Sequence, residues 1–273
     1  MIAAEFDYLK ASSVDEALSL LVEHGEDAKL LAGGHSLLPL MKLRFARPAV
    51  LVDIRTLPEL RGIREDGGRL LISAATRHRE LERHPLVNLM APLLAYAAST
   101  IGDPQVRSRG TIGGSIAHAD PAADLPAVLL ALDAVITVRG PTGRRDIPVD
   151  SFFVDFWQTA VQPDEIIELI AIPSAEDRAW SYQKFRQRSQ DWAIVGVAAL
   201  GGSAPRITLI NMALTPMRAA GVERALAEGA PAVEAAQLAD EETTPSSDLR
   251  ADVAYRRHLS RTLTRRALEK IAV

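Results

Sequence analysis

The chain has 273 residues, of which 48% are hydrophobic and 24% are charged, and its formal net charge is −4. This composition is ordinary for a globular protein with a sizeable core, and its acidic balance argues against a protein that follows nucleic-acid phosphates. The chain has no cysteine, which excludes disulfides, a thiolate nucleophile and cysteine-held iron–sulfur clusters. Without an uninterrupted run of 18 apolar residues no membrane span is predicted, and a cytoplasmic location is expected.

The first elements read strand, helix, strand, loop, strand. A short strand is predicted within residues 3–10, and Ser13 with Glu16 forms a capping-box pattern that begins a helix. Residues 29–32 and 49–54 are short apolar runs typical of buried strands. This stretch therefore predicts a small α/β unit.

The central stretch mixes helices with antiparallel strands. A hairpin is predicted around Asp66-Gly67-Gly68. Apolar residues recur at helical spacing in 76–83, 86–98 and 124–132, whereas 134–138 and 166–172 are predicted strands.

The last third follows a polar linker at 174–180. Strands are predicted at 193–200 and 206–214. Helices are predicted at 217–228, 231–240 and 253–271, the last with an apolar stripe typical of a core-facing side.

Two segments with paired glycines lie about 80 residues apart, and each follows a predicted strand or helix. The first is Ala32-Gly33-Gly34-His35-Ser36, and the second is Thr111-Ile112-Gly113-Gly114-Ser115. Glycine adopts positive φ freely and lets a ligand approach backbone N–H groups, which suit phosphate. We interpret both as loops that together clamp the two phosphates of a dinucleotide, with a plain surface turn as the alternative for each.

Other common chemistries lack their patterns. Neither a Rossmann G-x-G-x-x-G nor a G-x-x-x-x-G-K-[ST] motif occurs. Six scattered histidines without paired spacing predict no metal site, and no catalytic base or nucleophile stands out. Asp124 follows the second segment and either binds a sugar hydroxyl or caps the helix that begins beside it.

Both glycine segments resemble those of a known family, together with Pro104-Gln105-Val106-Arg107 and Ala119-Asp120-Pro121-Ala122-Ala123-Asp124. The chain is similar along its whole length to the FAD-binding medium subunits of molybdenum hydroxylases, which include aerobic carbon monoxide dehydrogenase and the xanthine dehydrogenase family. The later segments Tyr182–Phe185 and Asp191–Ala193 also resemble it. The resemblance implies an α+β fold. Its FAD-binding part, of the PCMH type, would have two subdomains (1–56 and 57–176), followed by a C-terminal flavoprotein domain (180–273) with an antiparallel sheet and helices.

The resemblance also implies which residues contact FAD. The first segment would wrap the pyrophosphate, the second would be the other phosphate loop, and Asp124 would bind the sugar or ribityl part. Ile101, Ile167 and Lys184 would lie near the cofactor, with Trp192 beside the flavin ring. Ser115 stands where the family commonly has Asn. The full set is Leu30, Leu31, Ala32, Gly33, Gly34, His35, Ser36, Leu37, Ile101, Thr111, Ile112, Gly113, Gly114, Ser115, Asp124, Ile167, Lys184 and Trp192.

By the same resemblance, the chain would be the FAD-carrying electron-transfer subunit of a heteromeric molybdenum hydroxylase. A large subunit would hold the molybdenum cofactor and a small subunit two [2Fe–2S] clusters, assembled as a dimer of heterotrimers. Electrons would pass from the clusters to FAD and then to an external acceptor. The alternatives are a stand-alone FAD-linked oxidase and a non-enzymatic binding module.

Overall fold

The computed structural model describes residues 2–271, so the outermost residues of the predicted ranges 1–56 and 180–273 lie outside the description. Three main sheets follow one another along the chain, with a small two-stranded hairpin inserted late in the second. Helices and strands alternate in the first part, which confirms the predicted mixed fold.

The first sheet is three-stranded and parallel, in the order β1-β3-β2. Helix α1 begins as predicted, because Ser13 Oγ accepts the Glu16 N–H at 3.1 Å. Its apolar side packs on this sheet and forms a separate small core. The elements are β1 (Asp7–Lys10), α1 (Val14–His24), β2 (Ala28–Leu31), α2 (Leu37–Lys42) and β3 (Val50–Asp53).

The second sheet is five-stranded and antiparallel, in the order β4-β5-β10-β6-β7. Its largely apolar helices form the largest core with it. The strands are β4 (Ile63–Asp66), β5 (Arg69–Ser73), β6 (Val135–Gly140), β7 (Gly143–Pro148) and β10 (Ile166–Pro173), with β8 (Phe153–Asp155) and β9 (Gln158–Thr159) in the inserted hairpin. The helices are α3 (His78–Arg83), α4 (Pro85–Met90), α5 (Pro92–Ser99), α6 (Pro104–Arg107), α7 (Ile112–His118) and α8 (Asp124–Ala131).

The stretch predicted as one helix over 86–98 is two helices. Helix α4 ends at Met90 and α5 begins at Pro92, whose nitrogen has no hydrogen to donate to the preceding turn. Ala91 between them takes a non-helical conformation with φ −144° and ψ 60°. Proline at a first helical position therefore explains the break.

The third sheet is four-stranded and antiparallel, in the order β11-β12-β13-β14. Its strands are β11 (Trp180–Phe185), β12 (Val195–Leu200), β13 (Arg206–Ile210) and β14 (Met217–Arg218). The sequence analysis did not predict β11. Helices α9 (Ala220–Ala227), α10 (Ala232–Ala235) and α11 (Val253–Ile271) pack with β12 and β13 in a second core.

Helix α8 joins the second and third sheets. Every one of its residues is buried, including Asp124 at its first position. The Thr208 hydroxyl on β13 donates to the Ala127 carbonyl at 2.8 Å, so the third sheet is hydrogen-bonded to this helix. Among residues 2–271, no helix is long and apolar enough to cross a membrane.

Candidate cofactor-binding site

A cavity of about 500 Å³ lies where the three sheets meet. Its walls come from the segment between β2 and α2, from α7 and the residues before it, from β10, and from β11 and the loop that follows it. This volume falls within the range of small-molecule and cofactor pockets. The apolar wall includes Leu30, Leu40, Ile54, Ile101, Val106, Val161, Ile166 and Ile167.

The first glycine segment presents a row of unpaired backbone donors to this cavity. Within the described chain, the N–H groups of residues 33–37 have no protein acceptor. Gly34 has φ +77°, a left-handed conformation that turns the chain between β2 and α2. The Ser36 hydroxyl makes no hydrogen bond that caps α2. Consecutive free N–H groups of this kind form a concave site for an anion.

The second glycine segment is the first turn of helix α7 and not the predicted loop. Thr111 caps this helix, with its Oγ1 accepting the Gly114 N–H at 3.1 Å. The N–H groups of Ile112 and Gly113 donate to Thr76 and Ala74 carbonyls, and that of Ser115 donates to the Thr111 carbonyl. These donors are already paired within the protein, so the expectation of free N–H groups in this segment was wrong.

Close packing explains why Gly113 and Gly114 lack side chains. Neither has positive φ. A Cβ on Gly113 would lie 2.6 Å from the Ala74 Cβ, and one on Gly114 would lie 2.9 Å from Thr111 Oγ1. The first glycine therefore lets α7 approach β5, and the second leaves room for the helix cap.

The first glycine segment contacts the residues directly before the second one, through Gly33 and Gly110. A Cβ on Gly33 would lie 2.7 Å from both the Gly110 Cα and the Arg109 carbonyl oxygen. A Cβ on Gly110 would in turn lie 2.7 Å from His78 Cδ2. Gly33, Gly110 and the His78 ring thus stack in direct contact, which holds the first sheet's loop against the second sheet.

A buried ion pair lines another part of the cavity, and a tyrosine hydroxyl is hydrogen-bonded to it. Lys184 Nζ lies 2.9 Å from Asp124 Oδ2, with both side chains about one-twentieth exposed. The Tyr182 hydroxyl donates to the other Asp124 oxygen. Burial raises the pKa of Asp124, and the Lys184 charge and the Tyr182 hydrogen bond oppose that rise. Burial and the Asp124 charge raise the pKa of Tyr182 well above its ordinary value.

Most of the predicted FAD contacts line this one cavity. Two do not: Leu31 and Ile112 are buried in apolar cores, because their side chains point away from it. Trp192 lines the cavity with 48% of its surface exposed. The lining predicted residues are Leu30, Ala32, Gly33, Gly34, His35, Ser36, Leu37, Ile101, Thr111, Gly113, Gly114, Ser115, Asp124, Ile167, Lys184 and Trp192.

Several polar residues of the cavity were not predicted. His78 and His118 face it from α3 and α7, and Glu165 comes from the turn before β10. Burial lowers the pKa of His118, and it lowers the pKa of His78 to about 4, with His35 and Arg107 adding to the latter shift. The single histidines have no sequence spacing that would have identified them. Gln190 and Asp191 directly precede Trp192, so the resemblance at that segment could have included them.

The residues present fit a ligand with a diphosphate and apolar rings. Neutral N–H donors of residues 33–37 suit the phosphates, and the apolar wall suits ring systems. Among residues 2–271, no group of three or more His, Cys, Asp or Glu side chains forms a metal site. The fold and the cavity together define a protein that binds a nucleotide cofactor.

Comparisons with known proteins agree with this class. Residues 4–175 match the FAD binding domain in molybdopterin dehydrogenase, and residues 180–271 match the CO dehydrogenase flavoprotein C-terminal domain. The chain is 44% identical to the carbon monoxide dehydrogenase medium chain of Hydrogenophaga pseudoflava, over 98% of this chain and 97% of that one. A 6-hydroxypseudooxynicotine dehydrogenase subunit of Paenarthrobacter nicotinovorans is 38% identical, with 97% and 94% covered.

Solved structures give the same result. The structure of carbon monoxide dehydrogenase from Hydrogenophaga pseudoflava superposes with a TM-score of 0.96, covering 99% of this chain and 98% of that one. Quinoline 2-oxidoreductase from Pseudomonas putida 86 superposes with a TM-score of 0.94 at 31% identity, covering 100% and 98%. The chain belongs to the FAD-binding medium subunits of the molybdenum hydroxylase family, and its cofactor is FAD.

Proposed function

We propose that this chain carries FAD as the electron-transfer subunit of a heteromeric molybdenum hydroxylase. In this proposal FAD receives electrons from iron–sulfur clusters on a small partner subunit and passes them to an external acceptor. The observation that carries the proposal is a cavity lined by residues 33–37, whose N–H groups have no protein acceptor among the described residues and suit a diphosphate. A large partner would hold the molybdenum cofactor.

Binding of FAD rests on residues from all three sheets. The N–H groups of residues 33–37 would donate to the diphosphate, with the Ser36 and Ser115 hydroxyls as further donors. Ile101 and Ile167 would pack against ring systems, and Trp192 would lie beside the isoalloxazine. Leu31 and Ile112 would support the site from the apolar cores behind it.

FAD supplies the chemistry of accepting and releasing electrons. The chain's own residues bind it, orient it and exclude water from part of it. The opposite charges of Lys184 and Asp124 make one wall polar without adding a net charge. The two phosphate charges of the cofactor would be met by the neutral N–H donors of residues 33–37. No side chain of this subunit is assigned to proton transfer with a substrate.

The substrate of the complex is decided elsewhere. Medium subunits whose names refer to carbon monoxide, glyceraldehyde and nicotine are 44%, 34% and 35% identical to this chain over nearly its full length. Since such different substrates accompany one flavoprotein fold, we place substrate choice on the large partner.

We also propose domain boundaries, an assembly and a cellular location for this chain. The subdomains are 1–56 and 57–176 and the C-terminal domain is 180–273, supported by the separate ranges of the three sheets. Relatives named as medium chains of carbon monoxide dehydrogenase support a large and a small partner, and we infer that the assembly is a dimer of such heterotrimers. The location is the cytoplasm, supported by the lack of cysteine.

Purification of the tagged full-length chain from the organism that makes it tests the proposal. We expect visible flavin absorption together with stoichiometric molybdenum and iron, and a mass equal to two of each subunit. Flavin without molybdenum or iron, combined with substrate oxidation by the lone chain, would favour a stand-alone oxidase instead. A colourless chain that takes up no added FAD would contradict FAD binding itself.

A further inference from the structure

An exposed patch that is both basic and apolar lies on one side of α2 and in the turn after it. We call it the α2 patch, and it consists of Leu38, Lys42, Leu43, Arg44, Phe45 and Arg47. Phe45 is 79% exposed, Leu43 is 49% exposed and Leu38 is 36% exposed. Clusters of exposed apolar side chains with a polar rim mark interaction sites.

The segment that forms this patch carries cations but no carboxylates. No Asp or Glu occurs between Asp27 and Asp53, although the whole chain has a net charge of −4. Lys42, Arg44 and Arg47 form no ion pair with any described residue. The cations of the α2 patch are therefore available to an acidic surface on another molecule.

The turn that displays Phe45 is hydrogen-bonded. The N–H groups of Phe45 and Ala46 both donate to the Leu40 carbonyl, at 2.9 and 3.3 Å, and Arg47 Nε donates to the Arg44 carbonyl at 3.2 Å. Arg44 itself has φ +62°, an unusual conformation for a residue with a side chain. These hydrogen bonds hold the turn in the conformation that exposes Phe45.

The α2 patch lies directly behind the cofactor cavity. Leu37 and Leu40 on α2 line the cavity, while Leu38 and Leu43 are exposed. A helix with its side chains is about 10 Å across. A molecule seated on the α2 patch would therefore be separated from the cavity by about one helix diameter.

We propose that the α2 patch docks an acidic, apolar-centred surface of the electron-donating iron–sulfur subunit. This inference rests on the proposed function and names the part of the chain that meets that partner. Phe45 would fill a pocket of the partner, and Lys42 and Arg47 would face carboxylates at its rim.

Two other occupants fit the α2 patch less well. A second copy of this chain on a two-fold axis would bring the same cations together, because such interfaces are self-complementary. An anionic membrane is usually recognised by four to eight clustered cations, and this patch has three. An acidic protein surface matches both the small number of cations and the single protruding ring.

The experiment compares variants of the full chain produced together with its own partner subunits. The test variants are Lys42→Glu combined with Arg47→Glu, and Phe45→Ser alone. Tagged chain is captured, and iron per bound flavin is measured at two salt concentrations. Because the chain has no cysteine to hold a cluster, captured iron reports the partner. We expect both test variants to keep the wild-type flavin content and to lose iron on the order of tenfold.

Matched controls change exposed residues outside the patch. Arg64→Glu combined with Arg69→Glu alters the hairpin of β4 and β5, and Leu89→Ser removes a side chain that is 50% exposed. Both controls should keep iron and flavin at wild-type levels. Wild-type iron in both test variants would overturn the docking assignment while leaving the proposed function intact.

Further outcomes identify the other occupants. Flotation with phosphatidylglycerol vesicles that is lost in the test variants, while iron is retained, would assign the patch to a membrane and overturn the inference. A change in self-association alone, measured by analytical ultracentrifugation, would assign it to a second copy and do the same. Wild-type chain that brings flavin but no iron would overturn the proposed function together with this inference.

Discussion

Asp124 and Lys184, which lie 60 residues apart in the sequence, form a buried ion pair of 2.9 Å in the wall of the cofactor cavity. Asp124 begins α8 of the FAD-binding part, and Lys184 belongs to β11 of the C-terminal domain. From the sequence, both residues were expected to contact the cofactor separately. In the structure they bind each other, so the pair also joins the two domains at the site.

Lys184→Met should destabilise the protein by about 3–5 kcal/mol, because it leaves the Asp124 carboxylate buried without its cation. The pKa of Asp124 should rise further, since Lys184 is the largest influence that lowers it. Urea unfolding measures the free energy, and visible absorption measures the flavin bound per chain.

The double variant Asp124→Asn with Lys184→Met is the control for this prediction. Removing both charges should recover part of the lost stability, since no buried charge then remains unpaired. Equal stability of wild type and Lys184→Met would show that the ion pair contributes nothing to folding.

Local chemistry made the boundaries of some elements predictable. Ser13 and Glu16 form the predicted helix start, and Asp66-Gly67-Gly68 forms the predicted hairpin turn. Strand β11 was missed because the predicted elements skip from the linker at 174–180 to the strand at 193–200, although Trp180, Tyr182 and Phe185 favour a strand. Its contacts with Asp124 through Tyr182 and Lys184 could not be read from the local sequence.

The positions of the two glycine segments could be predicted from the sequence, but the hydrogen-bond partners of their N–H groups could not. The sequence identified both glycine segments, yet it placed free phosphate donors in both. Only residues 33–37 have them, because the N–H groups of Ile112 and Gly113 pair with the Thr76 and Ala74 carbonyls. Those acceptors lie more than 30 residues earlier in the chain, so no local sequence pattern predicts that pairing.

Gly33→Ala should lower the affinity for FAD by pushing the two segments apart. The new Cβ would lie 2.7 Å from backbone atoms of Arg109 and Gly110, which are held by neighbouring hydrogen bonds and yield only at a cost. Fluorescence titration of the flavin-depleted protein with FAD measures the dissociation constant, and a rise of roughly tenfold corresponds to about 1.4 kcal/mol.

Gly67→Asn is the control for the Gly33 variant. It lies in the exposed hairpin turn with φ +58° and has nothing within 4 Å of an added Cβ, and Asn tolerates this conformation. Its FAD affinity should equal that of wild type. If Gly33→Ala also binds FAD normally, the contact between Gly33 and Gly110 has no role in cofactor binding.

Thr111→Val should weaken the start of α7 by about 0.5–2 kcal/mol, because valine offers no oxygen to the Gly114 N–H. Thr111→Ser keeps the cap and should stay close to wild type in both unfolding and flavin content. The comparison separates the cap from the methyl group of Thr111. Equal unfolding free energies for the Val and Ser variants would show that the hydrogen bond from the Gly114 N–H to residue 111 does not stabilise the protein.

His78 should make stability depend on pH between about 6.5 and 4. It is buried, and this burial lowers its pKa from the ordinary 6.5 to about 4 in the folded protein. In this interval the unfolded chain binds a proton that the folded chain does not, so stability falls as the pH falls, by about 3 kcal/mol in total.

His78→Gln should remove this part of the pH dependence, while His258→Gln, at an exposed position on α11, should keep it. Urea unfolding at several pH values between 7.5 and 4.5 measures the slope for all three proteins. Parallel slopes for wild type and His78→Gln would mean that His78 is not kept neutral by its burial against Gly110.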